Sequence, residues 1–355
     1  MIIHSKLKDY NVIIEDNLGF LKKINLSDNA QFVIDHKVYE LYQEYFSEIP
    51  EERLYLIEAN EENKIIDTVL SICEKMTEIS AKRNAVLISV GGGIIQDITG
   101  FVANVLYRGI RWIFVPTTLL ASCDSCIGGK TSLNFKKYKN LLGTFYPPDE
   151  IHICPGFFKT LSDRDFESGM GEIIKFNIMA GGQGINNIQK DIGALLRRCD
   201  DVMGNYVKSS LLFKKDFIEI DEFDKNERIK LNFAHTFGHA IETVSVYAIP
   251  HGTAVAMGMI MANHISVNRN LLSAEIAAVS EELLLQVIHV DYWNIDLPVE
   301  VFINSMRKDK KQVGNHLTAV LMTDIPKDLR IVHDIKEDEV VNALEYFKKL
   351  RNQKV

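Results

Sequence analysis

The sequence predicts an α/β half with a doubly wound parallel sheet, followed by a mainly α-helical half. Three observations carry that reading. Up to about residue 155, short β-branched runs alternate with helical stretches; from about residue 160 the pattern changes to long helical periodicity. Pro147-Pro148 and Pro155-Gly156 punctuate the join. At 355 residues, 46% of them hydrophobic, the chain has material for two cores, expected in residues 1–158 and 159–355.

In the first half, residues 32–34, 54–57, 85–90 and 113–115 predict buried strands, and residues 62–79 and 94–107 predict helices. In the second half, helical periodicity runs through residues 163–179, 203–219, 234–248, 252–269, 273–288 and 336–350. The formal net charge of -8 argues against a nucleic-acid scaffold, so any bound phosphate needs a local cluster. No apolar run reaches the roughly 18 residues of a membrane span, and the start lacks a signal-peptide pattern, which gives a cytoplasmic expectation. The five cysteines, Cys73, Cys123, Cys126, Cys154 and Cys199, form no disulfide framework.

Val90-Gly91-Gly92-Gly93-Ile-Ile-Gln-Asp97 follows a predicted strand and opens a predicted helix, where backbone amides can receive a pyrophosphate. Gln96 stands where the dinucleotide fingerprint has its third glycine, so a tight turn and a cofactor loop are both open. Thr117 and Thr118 bring two hydroxyls to the same sheet edge. Asp35, at a strand end, has the chemistry to accept from an adenosine ribose, although such an aspartate alone reads more readily as a turn residue. The segment from Cys123 to Asn140 holds Asp124, Ser125, Gly128-Gly129-Lys130-Thr131, Asn134 and Lys139-Asn140. Glycines flanked by lysines suit a phosphate monoester; a solvated basic loop is the other reading. Cys123 and Cys126 have a redox spacing but read as small core or loop residues in this polar segment.

In the helical half, His235 and His239 lie four apart, His251 follows Pro250, and Glu172 sits upstream in Gly171-Glu-Ile-Ile-Lys175. The four-residue step puts both imidazoles on one helical face, where one or both can reach a cation that His251 and Glu172 also reach. The absence of thiolates marks a catalytic rather than a structural metal site. Lys175 shares the face of Glu172, and Lys214, Arg228 and Asn232 add donors, with ordinary surface ion pairs as the alternative. The expected active site is the cleft between the two halves.

In order, Gly-Gly-Gly-x-x-x-Asp (91–97), Tyr-Arg-Gly (107–109), Val-Pro-Thr-Thr-Leu-Leu (115–120), Asp-Ser-x-Ile-Gly-Gly-Lys-Thr (124–131), Lys-Asn (139–140), Gly-Glu-x-x-Lys (171–175), Asn-Phe-x-His-Thr-Phe-Gly-His-Ala-Ile-Glu (232–242) and His-Gly-x-Ala-Val-Ala-x-Gly-Met (251–259) resemble the 3-dehydroquinate synthases, over residues 54 to 322. The resemblance implies an NAD-binding domain, a helical metal-binding domain, and zinc, or cobalt in its place, held by Glu172, His235 and His251. It implies a phosphate-eliminating lyase that turns 3-deoxy-D-arabino-heptulosonate 7-phosphate into 3-dehydroquinate. His239 becomes a non-ligand histidine near the substrate, acting with Lys175, Asn232 and Lys130. Substrate contacts are implied for Arg108, Asp124, Lys130, Asn140, Lys175, Lys214, Arg228, Asn232, His239 and Lys310, with Arg108 crossing a homodimer interface. The residue chemistry and the resemblance together put Asp35, Glu61, Lys64, Gly91, Gly92, Gly93, Asp97, Thr117, Thr118, Asp124 and Lys139 on the cofactor side.

There are departures. Asn60 replaces a glycine before Glu61-x-x-Lys64, Ala234 replaces a glycine in the histidine block, Ser132-Leu133 follows Lys-Thr, and residues 135–139 lack the usual Pro-x-Gly. None removes a functional side chain, but they leave room for a related sugar phosphate cyclase acting on a different sugar phosphate. An iron- or zinc-dependent alcohol dehydrogenase would show an aspartate and three histidines at the metal and no phosphate cluster. A catalytically silent relative would lack a ligand.

Overall fold

The computed structural model describes residues 1–24, 29–78, 83–136, 138–308 and 316–354. It forms two compact units: Met1–Thr160 with Met203–Leu211, and Leu161–Val202 with Leu212–Val355.

The first unit is built on strands β1 (Ile2–Ile3), β2 (Tyr10–Ile14), β3 (Ala30–Asp35), β4 (Leu54–Ile57), β5 (Val86–Gly91), β6 (Arg111–Pro116), β7 (Lys130–Phe135), β8 (Tyr138–Phe145) and β9 (Glu150–Ile153), with helices α1 (Phe20–Ile24), α2 (His36–Leu41), α3 (Ile66–Glu78) and α4 (Gly93–Val105). Seven strands make one sheet in the order β1-β2-β9-β6-β5-β3-β4, parallel throughout except for β1 on β2. β3 is buried along nearly its whole length, as expected of a parallel strand covered on both faces, whereas β2 alternates buried and exposed near the edge. From β3 the chain places β4 on one side and β5 on the other, so the strand order reverses between β3 and β5. Ligands in open α/β sheets bind at the carboxyl ends of strands at such a switch point, here Asp35 and Gly91.

The predicted strands are present, with ends that match or differ by one or two residues. The helix expected from residue 62 begins at Ile66, because residues 60–64 are folded as a turn in which Asn63 N donates to Asn60 Oδ1 at 2.9 Å. In the polar segment from Cys123 to Asn140, a short π-type turn over Ala121–Ser125 leads through irregular residues 126–129 into an antiparallel β7–β8 hairpin.

The second unit comprises α5 (Asp163–Met179), α6 (Gly182–Leu196), the C-terminal part of α7 (Asp200–Ile220), α8 (His235–Val244), α9 (His251–Asn268), α10 (Ala274–Leu284), α11 (Val299–Arg307), α12 (Glu337–Lys354) and a hairpin of β10 (Leu317–Met322) with β11 (Leu329–Ile335). Its centre is α9, buried continuously from Gly252 to Asn263. A helix apolar on every face needs neighbours all round, and α5, α8, α10, α12 and β10 supply them. Helices α6 and α11 and the β10–β11 hairpin are absent from the sequence prediction. Among the described residues, no helix is long and apolar enough to cross a membrane.

Candidate active site

In the helical unit, α5 delivers Glu172 and Lys175. Ser162 caps the helix by accepting from Asp165 N at 3.1 Å, and Asp163 and Asp165 suit its positive end. Both functional side chains are buried, Glu172 at 0% and Lys175 at 1% exposure. They form an ion pair, and Lys175 also donates to the Leu231 carbonyl at 3.3 Å. Helices α5 and α9 cross backbone to backbone: a Cβ on Gly171 would lie 2.2 Å from the Gly252 carbonyl oxygen, and one on Gly252 1.8 Å from that of Ser168. These two glycines flank Glu172 and His251, so the crossing brings carboxylate and imidazole together.

His235 Nδ1 lies 3.0 Å from the Phe233 carbonyl and His251 Nδ1 lies 3.0 Å from Glu242 Oε2. Each Nδ1–H donates there, so the Nε2 atoms are left to accept or ligate. Those Nε2 atoms stand 3.7 and 3.8 Å from Glu172 Oε1. The ligating atoms of Glu172, His235 and His251 all lie within 4.8 Å of one another. A tetrahedral cation with bonds of about 2.0–2.1 Å requires ligand separations of about 3.3–3.5 Å, which a slight inward movement supplies. Neither Glu172 oxygen accepts a hydrogen bond of ordinary geometry, despite complete burial. A carboxylate so placed fits a bound cation. His239, Glu242 and His251 form a second candidate group. There the Glu242–His251 contact is a hydrogen bond, as expected of a carboxylate that orients a ligating histidine. Burial opposes the charged form of His251, but Glu242 and Glu172 outweigh it and raise its pKa.

The helix between these histidines has unusual ends. Ala234 at its N-terminus is left-handed, φ 65°, which explains why a glycine is at home at this position. At its C-terminus, Val246 N donates to Thr243 O at 3.1 Å and Tyr247 N to Glu242 O at 2.7 Å, the paired bonds of a Schellman cap. Val246, φ 51° and 83% exposed, is left-handed where glycine is usual, and Tyr247 follows it at φ 60°. Val246→Gly should therefore stabilise the protein by about 0.5–1 kcal/mol, the relieved left-handed strain exceeding the entropy that glycine adds to the unfolded chain. Thermal unfolding checks this; a lower Tm would contradict the strain argument.

Arg228 and Lys214 are also buried in this unit, at 4% and 7% exposure. The Asp221 carboxylate accepts from the backbone N–H groups of Lys225, Asn226 and Arg228 at 2.7–3.2 Å, folding the turn that delivers Arg228 and, at the end of a 3-10 stretch, Asn232. Burial opposes the Asp221 charge, but these donors hold its carboxyl below the usual range. Lys310 lies outside the described residues.

In the sheet unit, a Cβ on Gly91 would lie 3.3 Å from Asp35 Cβ and one on Gly92 3.0 Å from Thr118 Cγ2. Asp35, Thr118 and the glycine loop are therefore neighbours at the strand ends, with α4 opening at Gly93. Asp35 also caps α2 by accepting from Lys37 N at 3.1 Å, and burial raises its pKa. Gln96, in the place of the third glycine, exchanges two hydrogen bonds of 2.8 Å with Ser125 through its side-chain amide, which fixes the 121–125 turn to α4. Glu61 accepts from Asn134 Nδ2 at 2.7 Å and pairs with Lys139 at 2.9 Å; burial opposes its charge, but these partners keep its carboxyl low. Lys64 pairs with Asp97 at 2.5 Å and donates to Asn140 Oδ1 at 2.6 Å. Asp124 is half-buried, Thr117 is buried, and Lys130 is exposed at the start of β7. Arg108 is exposed at φ 63° after α4. The glycine-lined strand ends and the start of α4 fit a dinucleotide, because backbone amides there have no side chain in front of them.

Sequence reasoning missed Glu242 and Asp221 as parts of the site. Glu242 was signalled by its place three residues after His239; Asp221 depends on a turn.

A parallel-sheet unit with a glycine-opened helix at its switch point, and a helical unit with a buried Glu/His/His donor set, define a nucleotide- and metal-site enzyme scaffold. The family models described as 3-dehydroquinate synthase N-terminal and 3-dehydroquinate synthase C-terminal match residues 54–168 and 169–312. The chain belongs to the 3-dehydroquinate synthase family. It is 35% identical to a 3-dehydroquinate synthase of Dictyoglomus thermophilum over 96% of each chain. It is 34% identical to one of Clostridium tetani over 95% of this chain and 92% of that one. In fold it is similar to a 2-epi-5-epi-valiolone synthase from Streptomyces hygroscopicus subsp. jinggangensis, solved with NAD+ and Zn2+ (TM-score 0.83, 24% identity, 98% of this chain and 99% of that one).

Proposed function

We propose that this chain catalyses the 3-dehydroquinate synthase reaction, eliminating phosphate from 3-deoxy-D-arabino-heptulosonate 7-phosphate and closing the product as a carbocycle, with NAD and zinc as resident cofactors. The observation that carries this reading is the fully buried Glu172, whose Oε1 faces the Nε2 atoms of His235 and His251 while its Oε2 pairs with Lys175, in a member of this family. When bound, NAD supplies a hydride acceptor and donor, and zinc on Glu172, His235 and His251 supplies a Lewis acid at a carbinol oxygen. Gly91–Gly93 receive the pyrophosphate of the cofactor, with Asp35 on the adenosine side and Glu61, Lys64, Asp97, Thr117, Thr118, Asp124 and Lys139 around the rest. His239, with Lys175 and Asn232, moves the proton of the carbinol. Lys130 and Asn140 hold the phosphate so that one of its oxygens can take the proton lost in the elimination, while Lys214, Arg228 and Lys310 hold the remaining polar groups. Arg108 contributes from the partner subunit of a homodimer. The reaction belongs to the shikimate route to aromatic amino acids, for which the cytoplasm is the expected place.

Purified protein given trace NAD+, zinc and this substrate should release one phosphate per turnover without accumulating NADH. Lys130→Ala removes a charge-assisted contact to the leaving group, so kcat/KM should fall by roughly a hundredfold while NAD still binds. Stoichiometric NADH, or near-normal activity in that variant, would defeat the reading. Phosphate release from a different sugar phosphate alone would assign a related cyclase activity.

A further inference from the structure

Two oxygens in the sheet unit, Asp97 Oδ2 and Asn140 Oδ1, are spanned twice. Lys64 Nζ reaches them at 2.5 and 2.6 Å, and Ser132 Oγ reaches them at 2.9 and 3.0 Å. We propose that Ser132 is a positioning residue: it fixes the direction of the Asn140 amide so that the donor end is offered to the phosphate of the substrate. This rests on the function proposed above.

An ammonium has three protons and no acceptor, so the Asn140 atom that faces Lys64 is the carbonyl oxygen. Lysine alone is a point charge on a flexible stem and holds an amide in one direction poorly. Ser132 closes the other side from a strand whose own place is fixed. It is paired opposite Gly143, and its backbone N donates to Asp97 Oδ1 at 3.0 Å. Asn140 is held through its backbone as well, left-handed at φ 53° and donating to Asn134 Oδ1 at 3.0 Å. With its carbonyl end held from two sides, exposed Asn140 has its Nδ2 hydrogens to give to an anion. The Ser132 hydroxyl lies within hydrogen-bond reach of both acceptors; without it Asp97 keeps Lys64 and the Ser132 amide, whereas Asn140 Oδ1 keeps Lys64 alone. Burial raises the Asp97 pKa, and Lys64 is the main group that pulls against it, ahead of Ser132.

The test compares wild type, Ser132→Ala, Ser132→Thr, Asn140→Ala and the Ser132→Ala/Asn140→Ala double variant, all with NAD+ and zinc. Phosphate release gives kcat and KM, calorimetric titration gives the NAD+ Kd, and thermal unfolding gives Tm. Ser132→Ala should raise KM for the heptulosonate phosphate about tenfold, with kcat and the NAD+ Kd within about twofold of wild type, because Asp97 keeps Lys64 and the Ser132 amide. Ser132→Thr should restore KM. In the Asn140→Ala background, Ser132→Ala should add less than about twofold, as expected of residues acting in series. A loss of NAD+ affinity or Tm in step with KM, failure of Thr to rescue, or the full effect persisting without Asn140 would overturn the proposal. An inactive wild type would defeat the functional reading and this proposal together; an active wild type with an unchanged Ser132→Ala defeats the Ser132 role alone.

Discussion

His251→Ala should leave the protein with far less than one zinc per chain and no measurable phosphate release, while His239→Ala should retain the metal and still lose turnover. The geometry separates the two. His251 Nε2 faces Glu172 Oε1 at 3.8 Å with its Nδ1 occupied by Glu242, the arrangement of a ligand oriented by a neighbouring carboxylate. His239 joins only the second group, where the carboxylate is Glu242 and is already engaged. Loss of one of three ligands typically costs far more than the 10–100-fold in affinity that loss of an orienting partner costs, so Glu242→Gln should give an intermediate defect of about that size. Metal analysis of the three variants checks the ranking. Zinc retained in His251→Ala and lost in His239→Ala would reassign the centre to the His239–Glu242–His251 group, and zinc loss matched by equal loss of Tm in all variants would indicate core histidines instead.

Legibility in the sequence followed burial. β3 and β5 were readable because parallel strands covered on both faces are continuous β-branched runs. β2 and β9 were not, since Asn11 and His152 interrupt them; buried His152 is held by Glu15 and Glu150 at 2.7 and 3.1 Å and stacks on Phe20, compensations invisible in one dimension. α6 opens on Gly182 and is rich in Gln, Asn and Asp, so its apolar stripe was diluted. β10 is a plain buried run, Leu-Thr-Ala-Val-Leu-Met, but stands in a half where every other signal is helical. For the site, the four-residue step of His235 and His239 correctly put them close, with ring centroids 5.6 Å apart. The periodicity had no means of choosing between them. The geometry that distinguishes them is the local contact of His235 Nδ1 with the Phe233 carbonyl and the arrival of His251 on another helix, the second a tertiary fact.

That arrival depends on a contact between backbones, which gives the other large expected effect. Gly252→Ala places a Cβ 1.8 Å from the Ser168 carbonyl oxygen, a distance no side-chain rotation relieves because both partners are main chain. α9 is locked on every side, so the strain must separate α5 from α9 and draw His251 away from Glu172. Metal–ligand distances tolerate only about 0.2 Å, so a shift of about 1 Å should abolish zinc binding although every ligand is still present. Phosphate release should fall by at least about a hundredfold, and overpacking should lower stability by about 1–3 kcal/mol or more. Circular dichroism distinguishes this from failure to fold. A second variant, Gly182→Ala, at a glycine whose added Cβ would meet nothing within 4 Å, should keep zinc, activity and Tm. If Gly252→Ala folds with full zinc and near-normal turnover, the α5–α9 crossing is not what sets the metal site.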